Sequence, residues 1–436
     1  MVLIFAYAPA GLGHLRVISA LHNGLSHDIE TALLGSHDKN IENIHRITSV
    51  HPIAKFIYDW MQTGPLATTF AFYYKNFLRA HTKLLYEQLT TILDQRIKEP
   101  KKVVMVAAHF GLAHQLIALK ERLEKERNIK IYVFVQVTDD TFHPMWYVEG
   151  AEILVVPSEL AKQKFMDYAK KYSLPRLRIE VLPYPVNPHF FESLDSGQLQ
   201  DKQDQLDPQK VNLINVSLPV SGAAAGTTFH EQFIKEIQKI SKRYAFWVVS
   251  KNVGHTKRFL ARLSTLSQVN ILASVSERQV IEDYDKLFDK AVFSLEVTKP
   301  SEQAFKAFAL PTQKAGLVML FTTPVGEQEK DNLKFLERHM LIPSLETNKL
   351  LWDLAENKSK PEENLLQLTS VLRGLRLPPN PKKAADFVCW CLENNILKSM
   401  LLANTLPKQS DPNPREITRN GVTQFWSIIA AFMKEK

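Results

Sequence analysis

The chain has 436 residues, more than a single hydrophobic core usually serves, so two domains are expected. With 45% hydrophobic and 23% charged residues it reads as an ordinary globular protein, which excludes a disordered or fibrous chain. A formal net charge of +8 calls for an anionic partner; a lipid surface, a nucleotide diphosphate and a nucleic acid all qualify. The pairs Lys101-Lys102, Lys170-Lys171 and Lys382-Lys383 are scattered, with no long basic tract, so no nucleic acid is expected.

Val2–Ala8 reads as a first strand; no basic leader precedes it, so a signal peptide is not expected. Gly13–Leu25 follows as a helix, with Leu15, Ile18 and Leu21 at helical spacing. In the turn between them, glycines such as Gly13 let the backbone approach a ligand, and His14 opens the helix N-terminus. The helix dipole there opposes protonation, so His14 either serves as a neutral general base or simply orders the turn.

An aromatic insert is read at about 51–92. Leu66, Phe70, Tyr73, Tyr74, Phe77, Leu78, Leu84, Leu85 and Leu89 recur at three and four, which predicts one long helix with a broad apolar face. Most of that face is expected to be buried on the N-terminal sheet. The remainder, with Phe70 and Phe72 outward beside Lys55 and Lys75, suits a bilayer interface.

Val103–Ala108 is the next strand and ends at His109; Leu112–Arg127 is helical, and Ile131–Val137 and Ile153–Val156 are short buried strands. Between the last two lie Thr138, Asp139, Asp140, His143, Pro144 and Trp146. Residues just past a strand's carboxyl end in an open α/β sheet face the ligand crevice, so His109, Asp139 and His143 are candidate site residues. Asp139 and Asp140 also suit turn or cap positions, and Trp146 suits a core as well as a ligand platform. After Ile179–Leu182 the stretch Pro183–Pro188 reads as a domain exit, which gives a first domain of 1–190 and a polar linker at 191–210.

The second domain, 211–410, restarts the alternation with Val211–Val216, a helix at Thr228–Ser241, and strands at Phe246–Ser250, Val269–Ala273, Ala291–Leu295 and Leu317–Phe321. Ser221, Gly222 and Ala223 open a small-residue loop running to Gly226, where backbone amides can cradle a diphosphate. Lys251 and Lys299 are plausible cations for it, with Pro300 and Ser301 next to Lys299. Gln328 and Glu329, with Asn332 beyond, supply the amide and carboxylate chemistry that holds sugar hydroxyls. No Asp-x-Asp metal signature is read, so neither a metal nor any other cofactor is expected. Cys389 and Cys391 are too close for an ordinary structural disulfide, and no apolar run approaches the roughly 18 residues of a membrane span, so a reducing cytoplasmic setting is expected.

Several of these stretches occur together in one family. Ala10-Gly11-Leu12-Gly13-His14, Thr138-Asp139 with His143-Pro144, Trp146 and Pro157-Ser158, Ser221-Gly222-Ala223-Ala224, Thr298-Lys299-Pro300, and Pro324-Val325-Gly326-Glu327-Gln328-Glu329 with Asn332 stand in the order found there. The chain thus resembles the MurG-like glycosyltransferases, in the branch of monogalactosyldiacylglycerol synthase and the processive diacylglycerol glucosyltransferases, over roughly its first three quarters. The resemblance implies a GT-B fold, two Rossmann-like doubly wound α/β domains facing across a cleft, with the last helix (411–436) crossing back to the first domain. It implies inverting, metal-independent transfer of a hexose from a UDP-sugar to a lipid hydroxyl such as that of diacylglycerol, at the inner face of the cell membrane.

In that resemblance His14 is the catalytic base, with Asp139 beside it. Gly13, His109, His143, Trp146 and Phe70 lie toward the acceptor, while Ser221, Gly222, Ala223, Lys251, Lys299, Pro300, Ser301, Gln328, Glu329 and Asn332 lie toward the donor. Ser301 stands where relatives carry glycine and Ala307 near the place of a ribose-binding glutamate, which bears on nucleotide identity. A sugar-nucleotide epimerase, a soluble-acceptor transferase and a catalytically degenerate binding protein remain the alternatives.

Overall fold

The computed structural model describes residues 1–7, 12–25, 29–35, 67–96, 100–321, 326–402 and 413–436. Ala10 and Gly11 of the first turn, the insert from His51 through Leu66 with its Lys55, and Pro324, Val325 and Asp411 lie outside the described residues. The chain divides into two compact units, one gathering Met1–Asn187 with Gly326–Gln328 and Asn420–Lys436, the other Pro188–Val325 with Glu329–Arg419.

The first unit is built on six parallel strands: β1 (Val2–Tyr7), β2 (Thr31–Gly35), β3 (Lys102–Ala107), β4 (Lys130–Gln136), β5 (Ile153–Val156) and β6 (Ile179–Val181). Their order is β2-β1-β3-β4-β5-β6. β1, β3 and β5 are apolar on both faces, as strands covered by helices on each side must be. The helix Leu12–Asn23 joins β1 to β2 and Phe110–Arg127 joins β3 to β4. Ser158 caps the helix Glu159–Lys171 by accepting from the Ala161 amide at 3.0 Å. The terminal helix Gly421–Glu435 belongs to this unit: Trp426 Nε1 donates to the Leu21 carbonyl at 2.9 Å, and Phe432 sits edge-on to Tyr132 and Phe134 of β4.

The second unit repeats the plan with β7 (Ile214–Pro219), β8 (Tyr244–Lys251), β9 (Val269–Ser274), β10 (Leu295–Thr298), β11 (Leu317–Phe321) and β12 (Gly374–Leu377), in the order β12-β11-β10-β7-β8-β9. Among the described residues the fold is therefore two doubly wound parallel α/β units, as expected. The order reverses between β1 and β3 in one sheet and between β7 and β10 in the other, so each sheet has one switch point at its strands' carboxyl ends.

Four expectations need correction. The polar linker at 191–210 contains a helix, Ser196–Gln205, capped reciprocally by Asp195 and Gln198. Its Lys202 is fully buried because it donates to the carbonyls of Gln313 and Ala315 at 2.7 and 2.8 Å, so the polar side chains here tie down backbone of the second unit. The strand expected at Ala291–Leu295 pairs only from Leu295, because the preceding helix Glu277–Lys290 runs up to Lys290. The expected β7 begins at Ile214, three residues late, with Val211 exposed.

The single long insert helix is two helices, Ala67–Ala80 and Lys83–Asp94. They bury rows in different places. Leu85, Leu89 and Leu93 enter the sheet core, whereas Ala71 and Leu78 form a separate cluster with Met145. The first helix is also inverted relative to its hydropathy: Lys75 is buried, while Phe72, Tyr73 and Phe77 are 62%, 68% and 53% exposed.

The terminal helix starts where nothing larger than glycine fits, since a Cβ on Gly421 would lie 2.3 Å from the Pro183 carbonyl oxygen. Gly421→Val is expected to cost about 1–3 kcal/mol by overpacking. Gly254→Ala, with nothing within 4 Å, should change stability by less than about 0.5 kcal/mol. Urea unfolding of the two variants checks this, and equal midpoints would contradict the packing.

Candidate active site

At the first switch point, His14 lies in the first turn of the helix after β1 and His109 stands two residues past β3. Their rings meet edge to face, centroids 5.0 Å apart at 89°. His109 is the N-cap of Phe110–Arg127; its Nδ1 accepts from the Leu112 amide at 3.4 Å, and its ring stacks on Phe110. Accepting at Nδ1 leaves the hydrogen of the neutral ring on Nε2. Gly111 is needed beside it, because a Cβ there would fall 2.9 Å from the His109 ring.

One strand further along, the chain leaving β4 carries Thr138 to Trp146. Thr138 Oγ1 donates to Asp139 at 3.3 Å, and Tyr184 donates to the Thr138 carbonyl at 3.0 Å. Asp140 is buried and accepts from the Ser158 hydroxyl, so it fixes the cap of the next helix, whereas Asp139 stays half-buried at the sheet edge. His143 caps the 3-10 turn Pro144–Trp146 by accepting at Nδ1 from the Met145 amide at 3.2 Å. Its Nε2 is out of contact with solvent and has no hydrogen-bond partner among the described residues. Burial, with the Lys75 charge nearby, lowers its pKa to about 4, so at neutral pH the ring is neutral with its hydrogen on Nε2. Trp146 is 5% exposed, edge-on to Phe110 within the sheet core.

Two further groups support this turn, and the sequence reading did not single them out for the site. Lys75 donates to the Tyr147 carbonyl at 3.1 Å and lies over the Tyr147 and Tyr168 rings; burial lowers its pKa to about 8. It therefore points inward, away from the bilayer-facing role expected of it. His114 is completely buried and donates from Nε2 to the Met145 carbonyl at 2.9 Å, with burial lowering its pKa to about 3. The aromatic residues of Ala67–Ala80 form a ladder in which Phe70 stacks on Tyr74, Tyr74 on Phe77 and Phe77 on His81.

At the switch point of the second sheet, the loop after β7 runs from Ser221 through Gly222 and the buried Ala223 to the helix Thr227–Ile240. Ser221 closes it, accepting from the Ala224 amide on its carbonyl at 2.8 Å and from the Ala225 amide on its hydroxyl at 3.1 Å. Ala224 has φ +55° and Gly226 φ +85°. A left-handed alanine costs of order 1–3 kcal/mol and persists where the surrounding structure requires it. Gly226 cannot be replaced freely either, since a Cβ would sit 2.8 Å from Phe321.

Lys299 and Pro300 follow β10 directly. Lys299 pairs with Glu329, both largely buried, and Asn332 Nδ2 donates to the Pro300 carbonyl at 3.2 Å. The structure thus brings Lys299, Pro300, Glu329 and Asn332 together, and the Lys299 charge also acts on His230. His230, in the first turn of Thr227–Ile240, is buried edge-on to Phe321; its Nδ1 has no hydrogen-bond partner among the described residues and burial lowers its pKa to about 3. A histidine four residues after the loop glycine was the signal for it. Ser301 precedes a 3-10 stretch, Glu302–Phe308, without a side-chain cap, and Ala307 is buried within that stretch. Gln328 is half-buried in the first turn of Glu327–Arg338. Lys251, at the end of β8, is instead committed to Glu277 at 2.8 Å. Asp283-Tyr284-Asp285, an Asp-x-Asp in letters, lies inside the helix Glu277–Lys290 with Tyr284 buried. Among the described residues no cluster of three or more His, Cys, Asp or Glu side chains is arranged to hold a metal.

No protein-family profile and no curated protein matches the chain. Among solved structures, it is similar to UDP-GlcNAc 2-epimerase from Neisseria meningitidis bound to UDP-GlcNAc (10% identity, TM-score 0.48, 100% of both chains covered). Anabaena HepE in complex with UDP and glucose matches at 11% identity and TM-score 0.46, also over 100% of both chains. Acinetobacter baumannii MurG matches at 11% and 0.45 over 99% of each.

The buried histidines make stability depend on pH. His114, His143 and His230 have folded pKa values of about 3, 4 and 3, below their ordinary 6.5, so between those limits the unfolded chain binds more protons. Their contribution is complete above 6.5 and is lost as pH falls, by up to about 1.4 kcal/mol per pH unit for each histidine. His114→Gln, which can still donate to Met145 and does not titrate, should flatten the decline between pH 6 and pH 4.5 by one histidine's share. Urea unfolding across that range checks it; an unchanged slope would contradict the assignment.

Proposed function

We propose that the protein is an inverting, metal-independent glycosyltransferase that moves a hexose from a UDP-sugar to a lipid hydroxyl such as that of diacylglycerol. The observation that carries this reading is the His14–His109 pair at the switch point of the first sheet, with His143 and its unpartnered Nε2 one strand away. His14 removes the acceptor hydroxyl proton as that oxygen attacks the anomeric carbon. The bond from that carbon to the diphosphate oxygen breaks, and UDP leaves with the bonding pair. Asp139 and His143 hold the acceptor oxygen and its neighbours through hydrogen bonds.

In the second unit the amides of Ser221–Gly226 and the N-terminus of Thr227–Ile240 receive the diphosphate. Lys299 supplies the positive charge for the leaving group, while Gln328 and Glu329 take the sugar hydroxyls. Asn332 keeps the Pro300 carbonyl in place beside them. The solvent-facing Phe72, Tyr73 and Phe77, with Phe70 behind them, support a lipid acceptor, because such an aromatic face suits the headgroup level of a bilayer. No helix among the described residues is long and apolar enough to cross a membrane.

His14→Ala should lower transfer of radiolabelled hexose to diacylglycerol in vesicles by about 10²–10⁴-fold while leaving UDP binding unchanged. Undiminished turnover in that variant would overturn the role of His14.

A further inference from the structure

The strand pair that forms the second switch point carries a buried charged cluster with no part in the transfer steps above. Glu296 of β10 stands opposite Ser217 of β7 in the sheet register, and one oxygen of its carboxylate accepts from the Ser217 hydroxyl at 2.8 Å and from the Tyr284 hydroxyl. Its other oxygen pairs with Lys306, which also donates to the Tyr284 oxygen. All four side chains are buried. The Lys306 ammonium lies 4.4, 5.1 and 5.8 Å from the ring centres of Tyr284, Phe190 and Phe288, and aromatic faces attract a cation at such distances.

Both segments assigned to the diphosphate leave the strands that this carboxylate joins. The Ser221–Gly226 loop follows β7, and Lys299-Pro300 follows β10. Lys306 lies beyond Pro300 in the 3-10 stretch Glu302–Phe308, so its pair with Glu296 closes a short loop that contains Lys299. That stretch has 7 residues, longer than 3-10 helices usually run, and Ser301 gives it no side-chain cap, so its own hydrogen bonds hold its course weakly. Ala304, Phe305, Ala307 and Phe308 are buried as well, but apolar contacts are not directional and tolerate a shifted stretch.

A buried ion pair is weak evidence of stability, because neutral replacements of similar size often leave stability unchanged or raise it. Its directional contacts instead select one arrangement of the segments that carry it. We propose that Glu296 and Lys306 are positioning residues of the donor site, setting the Lys299-Pro300 segment at the spacing from the Ser221–Gly226 loop that a diphosphate requires. They act through Lys299 and not on the ligand. The inference rests on the donor reading above, and its test separates the two.

Glu296→Gln combined with Lys306→Met removes the pair without leaving a lone buried charge and without changing the net charge near Lys299, so altered diphosphate binding reports position. Calorimetric titration of the full chain with UDP and with uridine, beside urea unfolding, reads the effect. The double variant should keep or exceed the wild-type urea midpoint while the ratio of UDP to uridine affinity falls about tenfold. Tyr284→Phe, which keeps the ring and removes only the bridging hydroxyl, should lower that ratio about threefold, and it decides the question if the double variant does not fold. Lys202→Met, which unties the carbonyls of Gln313 and Ala315 at the amino end of β11, should lower the midpoint and leave the ratio unchanged. A wild-type ratio in the double variant, or in Tyr284→Phe where that decides, overturns the inference and leaves the donor reading standing, as does an equal fall in Lys202→Met. Absence of UDP binding by the wild-type chain removes the donor reading and this inference with it.

Discussion

The reversal of strand order is the constraint on which the rest of the structure depends. A right-handed crossover from one parallel strand to the next carries the chain steadily across a sheet, and where the direction changes, the two loops at the carboxyl ends part. In the first sheet that happens between β1 and β3, which is why the helix after β1 and the loop after β3 bring His14 and His109 face to edge. In the second it happens between β7 and β10, where the Ser221–Gly226 loop and Lys299-Pro300 are the parting segments. Both sheets can carry polar chemistry at these edges because their strands are buried by helices on each face and need nothing from the edge for stability.

Charge is handled in the same way at both edges. His114, His143 and His230 are buried as neutral rings, so each can hold one ring nitrogen as donor and one as acceptor without the cost of a buried charge. The lysines that enter the interior are each matched: Lys299 to Glu329, Lys251 to Glu277, Lys306 to Glu296, and Lys75 and Lys202 to backbone carbonyls. The left-handed Ala224 and the crowded Gly226 both occur in the loop between β7 and the helix Thr227–Ile240.

Much of this was legible in the sequence. Short apolar runs such as Ile153–Val156 and Leu317–Phe321 correspond to strands residue for residue, because continuous apolar runs of that length fit a doubly covered sheet. His109, Asp139 and His143 were legible as strand-end residues for the same reason. What escaped was decided by tertiary contacts. β2 and β12 are short outer strands, and β12 carries a buried Arg376 whose side chain pairs with Glu337 and whose backbone amide donates to the Asn348 side chain. The break at His81 and Thr82 left no trace in the periodicity, since Phe77, Leu78, Leu84 and Leu85 keep the three-and-four spacing across it. Lys75 reads as a solvated lysine, and only the carbonyl of Tyr147, 72 positions away, explains its burial. Lys202 and Gln205 likewise read as linker until the carbonyls of Gln313, Ala315 and Val292 are seen to require them.

The central claim is that the second unit holds a nucleoside diphosphate by backbone amides and Lys299, and calorimetric titration of the full chain with UDP tests it most directly. One saturable site is predicted, with uridine, which lacks the diphosphate, binding at least about tenfold more weakly, and with Lys299→Met reducing UDP affinity. No heat of binding with UDP or any other nucleoside diphosphate would contradict the account and leave the degenerate binding protein as the better description.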